Sequence, residues 1–379
     1  MRLVDSGYHT YIVSYPISRA FRTPLSNLIA VVSHISIETS VIIGSYDDME
    51  LNYPDDSHIT VNQFDIGVSS HLLSRIVRFV KFLILSLFRF VRTIRETDIV
   101  IFFMEWDPIF LIIVSKIFRK KTFWILPSYP LLMRKYNPDP LLAFSQYPDW
   151  LCYRLSDIIV VYSANMIKEW DLVKWRKKIV IAPNHFINFN QFKITKVYND
   201  RENLVGYIGR FSEEKGIGNF LKAAKIILKT HPEIKIFLGG SGNLEKLEVD
   251  LDIFKEQDQL RRNGWIPHDK LPQYLNNIRL LIIPSYTEGL PNMMLEAMAC
   301  GTPVLATPVG AIPDVIRDGE TGFIMEDNSP KCIAENVLRA LRSTELERIA
   351  ENGRHFVEEN FAFEKTVKQL RKILDDNTK

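Results

Sequence analysis

The chain has 379 residues, a formal net charge of +2 at pH 7 and 46% hydrophobic residues. These values exclude a disordered or fibrous protein and favour a globular chain that is long enough for two domains. Its three cysteines, Cys152, Cys300 and Cys332, are widely spaced, which argues against a disulfide framework and favours the reducing cytoplasm. The first twenty residues lack a secretory signal pattern, and no stretch reaches the roughly 18 uncharged apolar residues expected of a spanning helix.

Apolar segments in the first half of the chain predict alternating strands and helices. Such alternation indicates a doubly wound sheet of parallel strands. The predicted strands are 11–15, 40–45, 98–104, 122–126, 157–162 and 179–182, and the predicted helices are 25–35 and 109–118.

The segment 72–95 (LLSRIVRFVKFLILSLFRFVRTIR) predicts a basic amphipathic helix. Residues 71–135 contain 12 Lys and Arg against 4 Asp and Glu, so much of the positive charge is concentrated there. Such a helix suits an anionic membrane surface, although a helix packed on the sheet with solvated arginines is the alternative. A nucleic-acid partner is not favoured, since no nucleic-acid-binding module accompanies the charge. The side expected to be basic holds Arg75, Arg78, Lys81, Arg89, Arg92 and Arg95, with Phe82, Leu85 and Phe88 intruding, and the side expected to be apolar holds Phe79, Val80, Leu83, Leu87, Phe90 and Val91.

After a polar stretch at 188–203, which we predict to be a linker, the strand and helix pattern resumes. A predicted strand at 204–208 is followed by a loop that holds Arg210 and Lys215, and then by a predicted helix at 220–228. Two cations at a strand end would offset the charge on a diphosphate. The next predicted strand leads into glycines at 239–242, including Gly240, where a nucleotide can approach the backbone closely. No G-x-G-x-x-G motif is present, so a nicotinamide cofactor is not favoured.

The segment 280–301 predicts a strand, a loop and a helix. Pro291 suits the first turn of that helix and Gly301 suits its end. The amides at the helix N-terminus are a natural seat for a diphosphate. Glu288 before the helix and Glu296 inside it can accept hydrogen bonds from hydroxyls on either side. The pattern predicts a site for a nucleotide-diphosphate-sugar, and the plain alternative is an ordinary strand, loop and helix with two solvated glutamates.

The segment from Leu204 to Asn328 resembles the C-terminal domain of retaining GT-B glycosyltransferases of family 4, also called glycosyl transferases group 1. The resemblance implies an α/β fold of two Rossmann-like, doubly wound domains that face each other across a cleft. It implies an acceptor-side domain at 1–190, a nucleotide-sugar domain at 191–361 and a final helix at 362–379 that returns to the first domain. The motifs that carry it, in order, are VGYIGRFSEEKG, FLGGSGNLEKLE, NGWIPHDKLPQYL, PSYTEGLPNMMLEAMACGTPVLAT and GAIPDVIRDGETGFIM.

The resemblance also implies the reaction. It would be a metal-independent, retaining transfer of a hexose from a nucleotide-diphosphate-sugar to a lipid-linked or polysaccharide acceptor, with no cofactor. The cysteines favour a cytoplasmic location, and the basic segment 72–95 favours a peripheral position on the inner face of the cell membrane. In relatives the matching residues bind the donor phosphates, sugar, ribose and base. Carried onto this chain, the catalytic residues are Arg210, Lys215 and Glu288, and the substrate-binding residues are Gly209, Gly240, Trp265, Ile266, Gly289, Leu290, Pro291, Asn292 and Glu296.

The first half of the chain departs from the family pattern in two loops. The first loop lacks the usual Gly-Gly pair and holds Arg19 and Arg22, which either contact an anionic acceptor or are solvated. A later loop lacks the usual histidine, which leaves Glu105 and Asp107 as candidate bases, with a structural or capping role equally open. Both carboxylates follow a predicted strand, at the end where α/β sheets bind ligands.

The sequence admits three further interpretations. The lone D-x-D at 250–252 is the metal motif of a different glycosyltransferase fold, and we do not expect a metal there. A sugar-nucleotide epimerase of the same fold is an alternative, against which the missing histidine counts. A catalytically silent, membrane-docked partner subunit is another, against which the joint presence of Arg210, Lys215, Glu288 and Glu296 counts. The nucleotide, the sugar and the acceptor are not specified by the sequence.

Overall fold

The structure is a computed structural model that describes residues 7–17, 22–45, 51, 53–54, 56–65, 72–103, 108–128, 148–242 and 259–378. The chain divides into two compact units. The first combines Met1–Phe186 with Phe363–Lys379, and the second is Ile187–Ala362. Each unit is built on one parallel sheet, of seven strands in the first unit and six in the second. The predicted α/β class with two doubly wound domains is therefore confirmed.

The sheet of the first unit has the order β3-β2-β1-β4-β5-β6-β7, and the direction of winding reverses between β1 and β4. The apolar run of β4 is buried along its whole length, as expected for a parallel strand that is covered on both faces. The strands are β1 (Tyr8–Ile17), β2 (Ser36–Ser45), β3 (Ile59–Asp65), β4 (Ile99–Phe103), β5 (Lys121–Ile125), β6 (Ile158–Val161) and β7 (Ile179–Ile181), and the helices between them are α1 (Arg22–Ser33), α2 (Leu72–Thr93), α3 (Ile109–Ile117), α4 (Pro148–Leu155) and α5 (Ala164–Glu169).

The strand β3 was not predicted from the sequence. Its residues, ITVNQFD, mix polar and apolar side chains, and most of those described are only half-buried. This composition fits its place at the edge of the sheet, where one side of a strand has no neighbour.

The sheet of the second unit has the order β10-β9-β8-β11-β12-β13, and its direction of winding reverses between β8 and β11. The predicted strand at 204–208 is found with those bounds, and the strand predicted to open the segment 280–301 is Leu280–Ile283. The strands are β8 (Leu204–Ile208), β9 (Lys235–Gly239), β10 (Leu260–Asn263), β11 (Leu280–Ile283), β12 (Val304–Ala306) and β13 (Phe323–Ile324), and the helices are α6 (Ile217–Thr230), α7 (Leu271–Leu275), α8 (Asn292–Ala299), α9 (Ile312–Val315), α10 (Pro330–Leu341) and α11 (Leu346–Asn360).

The final helix, α12 (Phe363–Thr378), belongs to the first unit. The ring of Phe363 lies 4.7 Å from that of His34, just after α1. At the other end, the Tyr8 hydroxyl lies 2.6 Å from a carboxylate oxygen of Asp375. The helix is thus tied at both ends to elements from the start of the chain.

The stretch 188–203, which was predicted to be the linker between the domains, contains buried residues. It lies in the second unit, where Phe192, Tyr198 and Arg201 are buried. The Arg201 guanidinium donates to the carbonyl of Cys300 at 2.7 Å and to the hydroxyl of Thr302 at 2.7 Å. Burial lowers the pKa of Arg201 to about 10, so the group remains a cation at neutral pH. This role could not be predicted from the sequence, because an arginine that donates to buried carbonyls produces no periodic pattern of apolar residues.

The sides of α2 differ from those predicted. Phe82, which was expected on the basic side, is buried together with Ser86 and Phe90, whereas Val80 and Val91 are exposed. The side chains of Arg75 and Phe79 lie outside the description. The cause is that apolar residues nearly surround this helix, so the pattern does not indicate which of them face the sheet. None of the helices in the described residues is long and apolar enough to cross a membrane.

We expect Arg201→Ala to destabilise the second unit by about 3 kcal/mol, because buried carbonyls would lose their charged donor. Hydrogen exchange of peptides covering 271–302 measures the loss. The matched control is Arg317→Ala, at an exposed arginine of the same unit, which should change stability by less than about 0.5 kcal/mol. Equal protection in the two variants would contradict the assigned role of Arg201.

Candidate active site

Two loops of the second unit leave the sheet where its direction of winding reverses. The strands β8 and β11 are paired neighbours, with Val205 opposite Leu280. Both strands are parallel, so the loops that follow them emerge at the same edge. In open α/β sheets the crevice at this position is where ligands bind.

The loop after β8 presents two cations. Arg210 pairs with Glu214 at 3.3 Å, and the side chain of Glu214 is only 3% exposed. The hydroxyl of Ser212 donates to the same carboxylate oxygen at 2.7 Å. Sequence reasoning missed Glu214, although its spacing of four residues from Arg210 was a usable signal. The buried carboxylate therefore fixes the position of the Arg210 guanidinium.

A phenol beneath this loop supports it further. The hydroxyl of Tyr207 donates to the carbonyl of Arg210 at 2.6 Å. Burial, with smaller effects from Glu288 and Glu214, raises the pKa of Tyr207 well above its usual value. The hydroxyl therefore keeps its proton and remains a donor to the loop.

The loop after β11 carries Glu288, which is held from two directions. The ammonium of Lys215 and the hydroxyl of Ser285 each lie 2.7 Å from the same oxygen of Glu288. Ser285 is itself anchored, because the hydroxyl of Thr307 donates to its carbonyl at 2.6 Å. Two predicted catalytic residues that are 73 positions apart in the sequence are thus in direct contact.

Glycines allow the loops to approach this closely. Gly216 has a φ of +68°, and a Cβ placed there would lie 2.0 Å from the carbonyl oxygen of Pro284. Gly310 has a φ of +59°, and a Cβ there would lie 2.1 Å from the carbonyl oxygen of Glu288. Any other residue at either position would push the backbone of the Glu288 loop away.

A second glycine contact lies beside β8. A Cβ on Gly240 would lie 1.9 Å from the carbonyl oxygen of Gly209. The amide of Gly209 donates to the carbonyl of Gly239 at 3.0 Å, which continues the pairing with β9 past the end of β8. The two predicted glycines therefore lie together, at the same edge of the sheet as the cations.

The helix α8 begins directly after the Glu288 loop. Pro291 is the residue that precedes the helix, with extended backbone, and not a residue of its first turn as predicted. Leu290 is buried, while Asn292 and Met293 are half-buried. No side chain caps this N-terminus within the described residues, so the first-turn amides form a positive end that can receive an anion. Gly301, with a φ of +64°, follows the helix as predicted.

The other carboxylate, Glu296, is joined to a histidine that sequence reasoning missed. Its side chain is 5% exposed, and one oxygen lies 2.8 Å from Nε2 of His268. His268 lies in the same segment as Trp265, which is 51% exposed, and Ile266, which is buried. The segment predicted to contact the base and the carboxylate predicted to contact the ribose are therefore adjacent. His268 and Glu296 are 28 residues apart, and no sequence pattern indicates such a contact between a loop residue and a residue inside a helix.

The predicted acceptor-side residues are described only in part. Arg22 is the exposed first residue of α1, whereas Arg19, Glu105 and Asp107 lie outside the described residues. The strands that precede these loops, β1 and β4, are neighbours at the point where the first sheet reverses direction. The D-x-D at 250–252 also lies outside the described residues.

Residues 189–356 match the family described as Glycosyl transferases group 1. A capsular polysaccharide biosynthesis glycosyltransferase of Staphylococcus aureus, CapM, is 33% identical over 172 residues, which is 45% of each chain. The N-acetyl-alpha-D-glucosaminyl L-malate synthase of Bacillus anthracis is 31% identical over 235 residues, which is 58% of this chain and 60% of that protein. These matches span about half of the length of the relatives. The resemblance seen in the sequence is confirmed for this part of the chain.

Solved structures extend the likeness to both units. The sucrose-phosphate synthase of Thermosynechococcus elongatus has a TM-score of 0.73 at 18% identity, covering 97% of this chain and 98% of that one. HepE of Anabaena, solved in complex with UDP and glucose, has a TM-score of 0.71 at 16% identity, covering 97% of this chain and 99% of that one. Likeness at this identity shows the fold, and it confirms the predicted GT-B class.

We expect Gly310→Ala to disturb the Glu288 loop through a direct clash. The control is Gly319→Ala, where φ is +73° but a Cβ would meet nothing within 4 Å. The control should lose about 1 kcal/mol through backbone strain alone, and Gly310→Ala should lose at least about 2 kcal/mol more through displaced backbone. Thermal unfolding compares the two variants, and equal losses would show that the loop accommodates the methyl group.

Proposed function

We propose that this chain, whose residues 189–356 form a glycosyl transferases group 1 domain, transfers a sugar from a nucleotide-diphosphate-sugar to an acceptor. The observation that carries the proposal is the contact between Lys215 and Glu288, which joins the two loops at the reversal point of the sheet. A cation and a carboxylate are thus in direct contact, and the carboxylate residue lies four positions before the start of α8. The structural neighbour solved with UDP and glucose supports UDP as the nucleotide to test first.

The bound donor would replace the contact that Lys215 and Glu288 make with each other. Lys215 neutralises Glu288 when no donor is bound, and an arriving diphosphate competes for the ammonium. Glu288 then becomes an acceptor for sugar hydroxyls, beside the backbone of Gly289 and Leu290. Arg210, Lys215 and the first amides of α8 offset the charge that develops on the departing diphosphate. These groups take the place of a divalent metal ion, so the proposed reaction needs neither a metal nor another cofactor.

We propose that the transfer retains the configuration at the anomeric carbon. The bond between that carbon and the diphosphate oxygen breaks, and the bond to the acceptor oxygen forms on the same face of the sugar. The acceptor proton passes to the departing phosphate oxygen, so no covalent intermediate on the protein is required. Glu105 or Asp107 is the alternative base.

For the acceptor, the proposal names only a chemical class. The name of the Staphylococcus aureus relative supports a growing polysaccharide, and the basic helix α2 supports a lipid-linked acceptor at an anionic membrane surface. Arg19 and Arg22 are the candidate contacts for an anionic group on that acceptor. Together these features favour a peripheral enzyme of cell-envelope glycan synthesis.

We expect Lys215→Ala and Glu288→Ala each to lower sugar transfer at least about a hundredfold, the scale on which single charge-stabilising groups act. Release of sugar from a panel of sugar nucleotides, beginning with UDP-glucose, measures this without a known acceptor. Lys270→Ala, at an exposed lysine of the same unit, is the control and should keep full activity. Near-normal turnover in both site variants would overturn the proposal.

A separate prediction concerns the nucleotide end of the site, where we propose that His268 positions Glu296 for the ribose. Wild type should bind 2′-deoxy-UDP or 3′-deoxy-UDP at least about tenfold more weakly than UDP, because a hydrogen bond to a carboxylate is lost. In His268→Ala this penalty should fall below about threefold, because the carboxylate is no longer held.

The control for that measurement is His355→Ala, at an exposed histidine that also pairs with a glutamate, Glu359. It should keep the full penalty. An unchanged penalty in His268→Ala would exclude the positioning role, whereas no binding of UDP, GDP or ADP to wild type would question the donor site itself.

A further inference from the structure

The exposed apolar side chains of the described residues are concentrated on two helices of the first unit. Twenty large hydrophobic side chains are exposed, and eight of them lie on α2 and three on α3. Single exposed hydrophobic residues are normal, whereas a contiguous patch marks an interaction site. This concentration therefore indicates a partner.

The exposed residues of α2 form one stripe along its length. They recur at intervals of one, three or four residues, roughly half a turn around the helix from the buried Phe82, Ser86 and Phe90. The helix thus packs on its unit through one side and leaves an apolar side uncovered. The stripe consists of Leu73, Ile76, Val77, Val80, Ile84, Leu87, Phe88 and Val91.

The helix α3 repeats this arrangement. Phe110, Ile113 and Ile117 are exposed at a helical spacing, and Phe110 and Ile117 are 62% and 70% exposed. Leu111, Ile112 and Ser115 are the buried residues of this helix. The exposed stripe of α3 is therefore not a consequence of poor packing.

The topology places both helices on one face of the sheet. The connections from β3 to β4 and from β4 to β5 run in the same direction across the sheet. Crossovers between parallel strands are right-handed, so α2 and α3 cover the same face, and α1 covers the other. The segments that follow the two helices are also in contact, since the ammonium of Lys120 donates to the carbonyl of Arg95 at 2.9 Å.

The charges around the stripes identify the partner. Residues 72–95 and 109–121 contain ten Lys and Arg and no Asp or Glu. Lys81, Arg89 and Arg92 are exposed on α2, and the Arg92 guanidinium lies 3.9 Å from the ring of Phe88. A second copy of the chain would bring two cationic faces together, which is unfavourable. An anionic bilayer complements both the charge and the apolar stripes.

We infer that α2 and α3 together form a docking face for an anionic lipid bilayer, the α2–α3 face, defined by the eleven exposed residues of the two helices. The inference deepens the proposed function and rests on it, because it names the surface from which a lipid-linked acceptor would be reached. It extends the expectation from segment 72–95 by adding α3. The apolar stripes enter the interfacial region, and the cations meet the lipid headgroups.

Cosedimentation with phosphatidylcholine vesicles, with and without phosphatidylglycerol, tests the α2–α3 face on the full chain. Phe110→Ser with Ile117→Ser on α3, and Val77→Ser with Ile84→Ser on α2, should each weaken binding to the anionic vesicles at least about tenfold, because inserted apolar surface is lost. Lys81→Gln with Arg89→Gln should weaken it roughly thirtyfold at low ionic strength and less at high ionic strength.

Val197→Ser with Ile226→Ser is the matched control, since both residues are exposed on the second unit. It should bind vesicles as wild type does. Wild-type binding by the α3 variant would remove α3 from the face, and absence of vesicle binding by wild type would overturn the inference. A dimer that the α2 and α3 variants convert to monomer, without any vesicle binding, would show that a second copy covers the face instead.

Sugar release from the donor separates this inference from the proposed function. All of the surface variants should release sugar at the wild-type rate, because their side chains are remote in the sequence from the donor loops and belong to the other unit. Lost vesicle binding with full sugar release supports the docking face. Full vesicle binding without sugar release in wild type would leave the docking face standing and remove the proposed reaction.

Discussion

The contact between Lys215 and Glu288 is the interaction on which the candidate site depends. It exists because β8 and β11 are neighbours in the sheet, although residues 209–279, with the two strands β9 and β10, lie between them in the chain. A parallel sheet that winds outward in both directions brings the ends of its first and fourth strands together. The ion pair therefore joins two loops that are distant from each other in the sequence. The side chain of Lys215 is 23% exposed, and that of Glu288 is 9% exposed. The partial burial of both charges makes each the best available partner of the other until a ligand arrives.

The second unit shows how one residue type serves two purposes. Arg201 is buried and donates to the carbonyl groups of Ile278 and Cys300, so it links the ends of neighbouring elements. Lys215 and Arg210 are paired with carboxylates and remain partly exposed. A cation that donates to several fixed carbonyls is held in place, whereas a cation paired with one carboxylate can exchange that carboxylate for a phosphate. Burial and partner type thus distinguish a structural cation from one that can bind substrate.

Much of the second unit could be predicted from its sequence because its signals are local. Buried parallel strands such as β8 and β11 are continuous apolar runs, and Gly301 ends α8 as its position suggested. The contacts that define the site were less accessible. Glu214 lies four residues after Arg210 and could have been found from that spacing, but His268 and Glu296 come together only in the folded unit.

The first unit was harder to predict for a physical reason. The edge strand β3 carries polar residues because part of it faces water, so it lacks the apolar run that reveals an interior strand. In α2 the difficulty is the opposite, since apolar residues on nearly every side conceal which side is buried. Phe82 was assigned to the wrong side because hydrophobicity alone does not distinguish a residue that packs on a sheet from one that remains exposed.

The position of α12 has a consequence for the order of events during synthesis. The first unit contains the earliest residues of the chain together with its last helix, and the complete second unit lies between them. A ribosome therefore finishes the second unit before it supplies the segment that Tyr8 and His34 contact. The nascent first unit therefore leaves that surface uncovered until α12 has been synthesised, and the docking of α12 is the step that covers it.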